Sequence, residues 1–174
     1  MGPENPRLLQ QFLEQPKEAL GFDPRIESLV FALNTLAPRS TYTSCEGHLD
    51  GERYPYPWVS LDSWTSHAWL QVILERFNEQ NSIAWEVSQA GLLRPSAETL
   101  DSVGFTTELE EHIRLVKSPI LPKSLNRTTL GLMQESAHQL ATEIVASAID
   151  VRDIQGRGST EAMFQDTLSI GTNL

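Results

Sequence analysis

Apolar residues recur at helical spacing in several stretches of this chain, with polar residues at the intervening positions. The pattern predicts helices over 24–36, 65–80 and 128–150, each preceded by an Asp, Ser or Asn that can cap a helix N-terminus. A weaker pattern predicts a short helix over 7–20, although Pro16 interrupts it. The stripe over 128–150 is the longest, so we expect the longest helix there.

Strand patterns fall between these helices. Residues 41–45 are rich in Thr and Tyr, and apolar and polar residues alternate over 58–62 and 83–88, which predicts three strands. The segment 112–117 is a fourth strand candidate. Residues 89–107 follow neither period and contain Gly and Pro, so we expect a long connection there.

The predicted order of elements is helix, helix, strand, strand, helix, strand, strand, helix. This order predicts an α+β fold, a two-layer sandwich with helices on one face of a small, mainly antiparallel sheet. We expect residues 1–151 to form a single domain, and residues 152–174, which are rich in Gly, Ser and Thr, to form a loosely attached C-terminal tail. An open sheet edge could pair with a second copy, so a homodimer is one expected state.

The composition narrows the classes of partner and location. A formal net charge of −10 disfavours general binding to nucleic acid or to an anionic membrane. The single cysteine cannot form an internal disulfide, and the sequence shows neither a signal-peptide pattern nor an apolar run long enough to span a membrane. We therefore expect a soluble cytoplasmic protein whose partner is a small molecule or another protein.

The most informative segment is the run Ser44-Cys45-Glu46-Gly47-His48, which places the only cysteine three residues before a histidine. It lies where the first predicted strand meets a glycine-containing turn, a location that suits a functional site. A first hypothesis makes Cys45 a nucleophile with His48 as its base, and Glu46 the adjacent carboxylate of the catalytic group.

A second hypothesis is a metal site. Cys45, His48 and a carboxylate such as Glu46 or Asp50 are suitable ligands for a divalent metal ion, with open positions for a substrate. The Cys-x-x-His spacing is a weak metal signal by itself, because the chain has no second pair at matching spacing.

A third hypothesis is a non-covalent anion site. In a hairpin, Tyr56 shares a sheet edge with Cys45, and antiparallel pairing of the fourth strand candidate would bring Lys117 back to this edge. The start of the last helix would add a positive end, and these charges together would lower the pKa of the Cys45 thiol. The expected ligand-binding residues are Ser44, Gly47, Arg53, Tyr56, Lys117 and Arg127.

A structural interpretation competes with all three hypotheses. Free cysteine is among the residue types most often buried, so Cys45 could simply be a small core residue. The chain would then be a non-catalytic protein–protein interaction module. In that case residues 89–107, the last helix and the tail would carry the contacts.

The Ser-Cys-Glu-Gly-His run, preceded by a helix and a short strand, resembles the Ser-Cys-Ser-Gly-Arg run of the wybutosine tRNA-modification methyltransferase family, which uses S-adenosylmethionine. The likeness covers residues 40–53 and implies a shared strand-turn framework around Ser44, Cys45 and Gly47, with a nucleoside-like ligand. His48 stands where that family has arginine, and the activity is not carried over. The expectation is a ligand or metal site at this turn, in an enzyme acting on a small anionic or nucleoside-like substrate.

Overall fold

The fold combines a four-stranded antiparallel sheet with helices packed against it. The computed structural model describes residues 23–36, 41–51, 53–62, 68–115 and 120–168. Within these ranges the elements are α1 (Glu27–Leu36), β1 (Thr41–Cys45), β2 (Trp58–Leu61), α2 (Ala68–Gln80), β3 (Trp85–Val87), β4 (Leu92–Pro95), α3 (Ala97–Ser102), α4 (Thr107–Leu115) and α5 (Arg127–Leu168). The predicted helix over 7–20 lies outside the described residues.

Helix α1 begins at Glu27, three residues after the predicted start, and a turn over residues 24–26 leads into it. The carbonyl oxygen of Asp23 accepts hydrogen bonds from the backbone N–H groups of Ile26 and Glu27, each at 3.1 Å. Ile26, Leu29 and Leu33 recur on one face and are fully buried. Each such side chain contributes on the order of 2 kcal/mol through the burial of apolar surface, so the amphipathic pattern fixes which face of α1 packs inward.

The sheet has the strand order β1-β2-β4-β3, and every neighbouring pair is antiparallel. Strands β1 and β2 form the predicted hairpin, and the ladder stops where Cys45 pairs with Trp58. In the middle of the sheet, Leu93 of β4 lies between Val59 of β2 and Val87 of β3. The ladder therefore ends at Cys45, as predicted, and the chain after it is free to turn.

The predicted connection over 89–107 is wrong in part, because it contains β4 and α3. Gly91, at φ +76°, turns the chain from β3 into β4. Strand β4 is only four residues long and ends at Pro95, which pairs with Trp85 at the end of the ladder. A strand this short offers too few positions for a period of two to be recognised, and a terminal proline obscures it further.

The predicted fourth strand over 112–117 is also wrong, because residues up to Leu115 belong to α4. Leu109 and Ile113 are one helical turn apart and pack against the same small apolar cluster. The alternation that suggested a strand covers too few residues to exclude a helical period. Residues 116–119 lie outside the described ranges, so the position expected for Lys117 is not described.

The larger core lies between one face of the sheet and helices α1, α2 and α5. Val59, Leu93 and Trp85 supply the sheet side, and the indole N–H of Trp85 donates a hydrogen bond to Ser136 Oγ at 3.0 Å. Glu86 and Arg94, at neighbouring positions of β3 and β4, point away from this core. The α+β prediction is confirmed, and Trp85 of β3 lies in the core.

Helix α5 begins as predicted and ends later than predicted. The side chain of Asn126 accepts hydrogen bonds from the N–H groups of Thr128 and Thr129, at 3.0 and 3.2 Å. The helix then continues to Leu168, beyond the end expected near Asp150. The division into a domain over 1–151 and a loosely attached tail stays a prediction, as does the homodimer. Among the helices described, none has the length and apolar character needed to cross a membrane.

Candidate metal centre

Three different metal-ligating side chains meet at the end of β1. A carboxylate oxygen of Asp23, the Sγ of Cys45 and a ring nitrogen of His48 all lie within 4.8 Å of one another. Within the ranges the structure describes, this is the only group of three or more His, Cys, Asp or Glu side chains so arranged. Asp23 and His48 are half-buried and Cys45 is 8% exposed, so the group lies between core and solvent.

Asp23 joins the start of α1 to the turn that follows β1. Its backbone carbonyl accepts the first N–H groups of α1, and its Oδ2 accepts a hydrogen bond from the backbone N–H of Glu46 at 3.3 Å. Asp23 and Glu46 are 23 positions apart in sequence, so no local spacing pattern connects them. A signal was nevertheless present, because a helix followed at once by an antiparallel return brings the end of β1 back to the helix start.

Gly47 allows the turn to pass close to α5 and β2. Its φ is +90°, and a Cβ at this position would lie 2.7 Å from Cδ1 of Leu130 and 2.8 Å from the carbonyl carbon of Tyr56. Only glycine fits this combination of backbone angle and space. The next residue is also held, because the N–H of His48 donates to the carbonyl oxygen of Tyr54 at 3.1 Å.

Gln134 of α5 supports the turn from the other side. Its Nε2 donates to the carbonyl oxygen of Glu46 at 2.9 Å, while its Oε1 accepts a hydrogen bond from Arg25 at 2.9 Å. Gln134 is buried, so these bonds are shielded from water. The backbone between Cys45 and His48 is thus held by the segment before α1 and by α5 together, and no sequence pattern pointed to Gln134.

The prediction that the Cys45 pKa is lowered is wrong. Burial raises the pKa of the Cys45 thiol above its ordinary value, and the negative charges of Asp23 and Glu46 act in the same direction. A hydrogen bond with the Gly47 backbone and the charge of Arg53 oppose this effect without reversing it. A thiol in this environment is a weak nucleophile, whereas a bound metal ion would displace its proton.

The predicted ligand Asp50 is paired with Arg53, and Asp23 takes its place in the group of ligating atoms. The Arg53 guanidinium contacts Asp50 Oδ2 at 2.7 Å, and the Arg53 backbone N–H donates to Oδ1 at 3.2 Å. The hydrogen bond with Asp50 raises the pKa of Arg53. Asp50 therefore closes its own short turn, which is a common use of aspartate before glycine.

Tyr56 lies beside the turn, but its side chain belongs to a different, buried network. Its hydroxyl donates to Glu110 Oε1 at 2.7 Å and accepts from Arg94 Nη1 at 3.3 Å. Arg94 also contacts both Glu110 oxygens at 2.8 Å. Burial, reinforced by Glu110, raises the pKa of Tyr56 far above its ordinary value. The structure thus gives the Tyr56 hydroxyl a role in connecting β2, β4 and α4.

The other predicted site residues within the described ranges are Ser44, Glu46 and Arg127. Ser44 is half-buried within the β1–β2 ladder, and the Glu46 side chain is half-buried beside Cys45. Arg127 is exposed at the first position of α5, the helix that reaches the turn through Leu130. The expectation that the start of the last helix borders this turn is confirmed.

A cleft of about 280 Å³ lies between the start of α1 and α5, and its lining includes Gln134, which donates to the carbonyl oxygen of Glu46. Pro24 and Arg25, which follow Asp23, line one side, and Gln134 and His138 line the other. Nδ1 of His138 lies 3.2 Å from Ser28 Oγ across it. The cleft therefore combines the Arg25 guanidinium and several hydrogen-bonding groups with the carboxylate of Glu135.

Comparison of the chain with protein-family models, with curated proteins and with solved structures found no match. The assignment of function consequently rests on the chemistry and geometry of this site.

Proposed function

We propose that this protein binds a divalent transition-metal ion through Asp23, Cys45 and His48, with Zn²⁺ as the first candidate. The observation that carries the proposal is the approach of the three ligating atoms to within 4.8 Å of one another. A thiolate, an imidazole and a carboxylate are ligands that Zn²⁺ accepts together. Mg²⁺ and Ca²⁺ prefer oxygen ligands throughout and fit this set poorly.

The number of ligands favours a catalytic over a purely structural role for the metal ion. Structural zinc sites have four protein ligands, whereas catalytic sites have three and keep a position for water or substrate. The three side chains found within the described part of the chain fit the second class, and a metal ion lowers the pKa of the water that it binds. We therefore propose an enzyme that uses this water in hydrolytic chemistry.

The neighbouring cleft supports a small anionic substrate. Arg25 lines the cleft two positions after the ligand Asp23, and its guanidinium, which donates one hydrogen bond to Gln134, has further N–H groups that could bind a carboxylate or phosphate. The nucleoside-like ligand implied by the resemblance in the Ser44 to His48 run remains a prediction that no observation of the fold tests.

Elemental analysis of protein purified without chelator and then reconstituted with Zn²⁺ tests the metal site. We expect about one ion per chain in the wild type and a loss of binding in Asp23→Asn, Cys45→Ser and His48→Ala. Asp50→Asn and His112→Ala are matched controls, because both residues are exposed and lie outside the ligating group. These two variants should bind metal as the wild type does.

The competing candidate function is a non-catalytic interaction module with a structural Cys45. The burial of Cys45 and the resulting rise in its pKa favour this candidate over a catalytic thiol. The same experiment separates the two functions. A wild type that binds no Zn²⁺ after reconstitution would refute the metal site and leave Cys45 as a core residue.

A further inference from the structure

Glu27, in the first turn of α1, has a buried carboxyl group with an unusual environment. The residue is 6% exposed, and within the described part of the chain neither Oε1 nor Oε2 has a hydrogen-bond partner. Buried polar side chains nearly always have a partner, because the loss of water must be compensated. An unpartnered carboxyl group at a helix start therefore calls for a functional explanation.

The backbone places Glu27 on the side of α1 that faces β1. The N–H of Glu27 donates to the carbonyl oxygen of Asp23, so these residues are one helical turn apart on the same face. Asn34 lies on that face as well, seven positions after Glu27. Its side chain donates to Thr41 Oγ1 of β1 at 2.8 Å.

Contacts at the two ends of this face, made by Asn34 and Asp23, show what the face packs against. Asn34 meets the beginning of β1, and Asp23 meets Cys45 and His48 at its end. Glu27 lies between them and is closer to Asp23 along the helix. Glu27 is therefore one helical turn from the ligand Asp23, although its carboxyl group is not one of the three groups within 4.8 Å of one another.

Basic side chains of the neighbouring described segments are already engaged elsewhere. Arg25 donates to Gln134, and Arg53 pairs with Asp50. Among the described ion pairs none involves Glu27, which strengthens the case for a ligand at this position.

We propose that Glu27 belongs to the metal site as a positioning residue, accepting a hydrogen bond from the water molecule at the open coordination position. This inference rests on the proposed metal binding. Carboxylates commonly fix the groups around a metal ion in this way, and their removal weakens metal binding. A carboxyl group that accepts a hydrogen bond from this water would also hold it in one orientation toward the cleft.

Zn²⁺ affinity, measured by competition with a chromophoric chelator, and thermal unfolding of the metal-free protein together test the proposal. Glu27→Gln keeps the shape of the side chain, and we expect its Zn²⁺ affinity to fall about 10- to 100-fold. Its metal-free unfolding midpoint should equal or exceed that of the wild type, because an unpartnered amide is less costly to bury than a carboxylate. Glu27→Asp, which withdraws the carboxyl group by one methylene, should also bind Zn²⁺ more weakly.

Glu98→Gln is the matched control, because Glu98 is exposed on α3, and it should change neither quantity. Unaltered Zn²⁺ affinity in Glu27→Gln would overturn the role of Glu27 and leave the three-ligand site standing. A weaker affinity together with a lower metal-free midpoint would assign Glu27 a structural role and also overturn it. A wild type that binds no Zn²⁺ would refute both the site and the inference.

Discussion

The α-carbon of Gly47 lies so close to Leu130 that a single added methyl group would come within 2.7 Å of the leucine Cδ1. This contact joins the turn after β1 to the first turn of α5. An added methyl group would also lie 2.8 Å from the carbonyl carbon of Tyr56, so the backbone between Cys45 and His48 is packed closely on two sides. The chemistry of the site consequently depends on a packing contact made by a residue with no side chain.

Gly47→Ala should lower the free energy of unfolding by about 3 kcal/mol, since it combines a strained positive φ with a clash against backbone atoms of Tyr56. We also expect Zn²⁺ binding to weaken, because relief of the clash must displace the turn. Urea denaturation and chelator competition measure the two effects.

Gly131→Ala provides the control for this substitution. Gly131 lies within α5, and apart from its chain neighbours and the adjacent backbone of its own helix no described atom is within 4 Å of the position its Cβ would take. Replacing a glycine inside a helix by alanine stabilises by roughly 0.5–1 kcal/mol, so the two glycine substitutions should have opposite signs. Equal effects would show that the turn tolerates displacement and that Gly47 does not fix the site.

The parts of this molecule that could be predicted from sequence are those with a regular period. The helices over α1 and α2 and the strands β1 and β2 follow from apolar spacing, as does the position of Cys45 at the end of a ladder. Strand β4 has four residues and helix α4 has nine, and segments this short do not show clearly whether apolar residues recur with the period of a strand or of a helix.

The site itself was only half predictable. Cys45 and His48 are neighbours in sequence, so their types and spacing were visible. Asp23 looked like an ordinary helix cap, and its second role depends on the antiparallel path of α1 and β1. The burial of Glu27 could not be predicted either. A glutamate in the first turn of a helix is ordinarily explained by its favourable interaction with the helix dipole.

The raised pKa of Tyr56 leads us to predict a loss of stability at alkaline pH. Burial and Glu110 raise its pKa in the folded protein, whereas in the unfolded chain it titrates near about 10. Above that pH the unfolded state loses a proton that the folded state keeps. The contribution of Tyr56 to the free energy of unfolding should therefore be constant near neutral pH and fall as the pH rises above about 10.

Urea denaturation at a series of pH values measures this dependence, and Tyr56→Phe is the control. The variant should be less stable by about 1–2 kcal/mol at neutral pH, because Glu110 loses a hydrogen-bond donor. Its decline above about pH 10 should be smaller than that of the wild type. An identical decline in both proteins would mean that other groups cause the alkaline loss.

The reactivity of Cys45 separates a metal ligand from a catalytic nucleophile. Burial raises its pKa, so only a small fraction of the thiol is ionised at neutral pH in the metal-free protein. We expect slow alkylation by iodoacetamide near neutral pH, with a rate that increases as the pH rises past the ordinary range of a free thiol. Protein unfolded in urea, whose only cysteine is then accessible, gives the reference rate.

Zn²⁺ should slow this alkylation further, because a coordinated and sterically covered sulfur is withdrawn from the reagent. Asp23→Asn removes a ligand and a negative charge while leaving the cysteine in place. In this variant the protection by Zn²⁺ should disappear, and the metal-free thiol should react faster, since the Asp23 charge raises its pKa. Rapid alkylation of the native wild type at neutral pH would instead identify Cys45 as an activated thiol and reinstate it as a nucleophile.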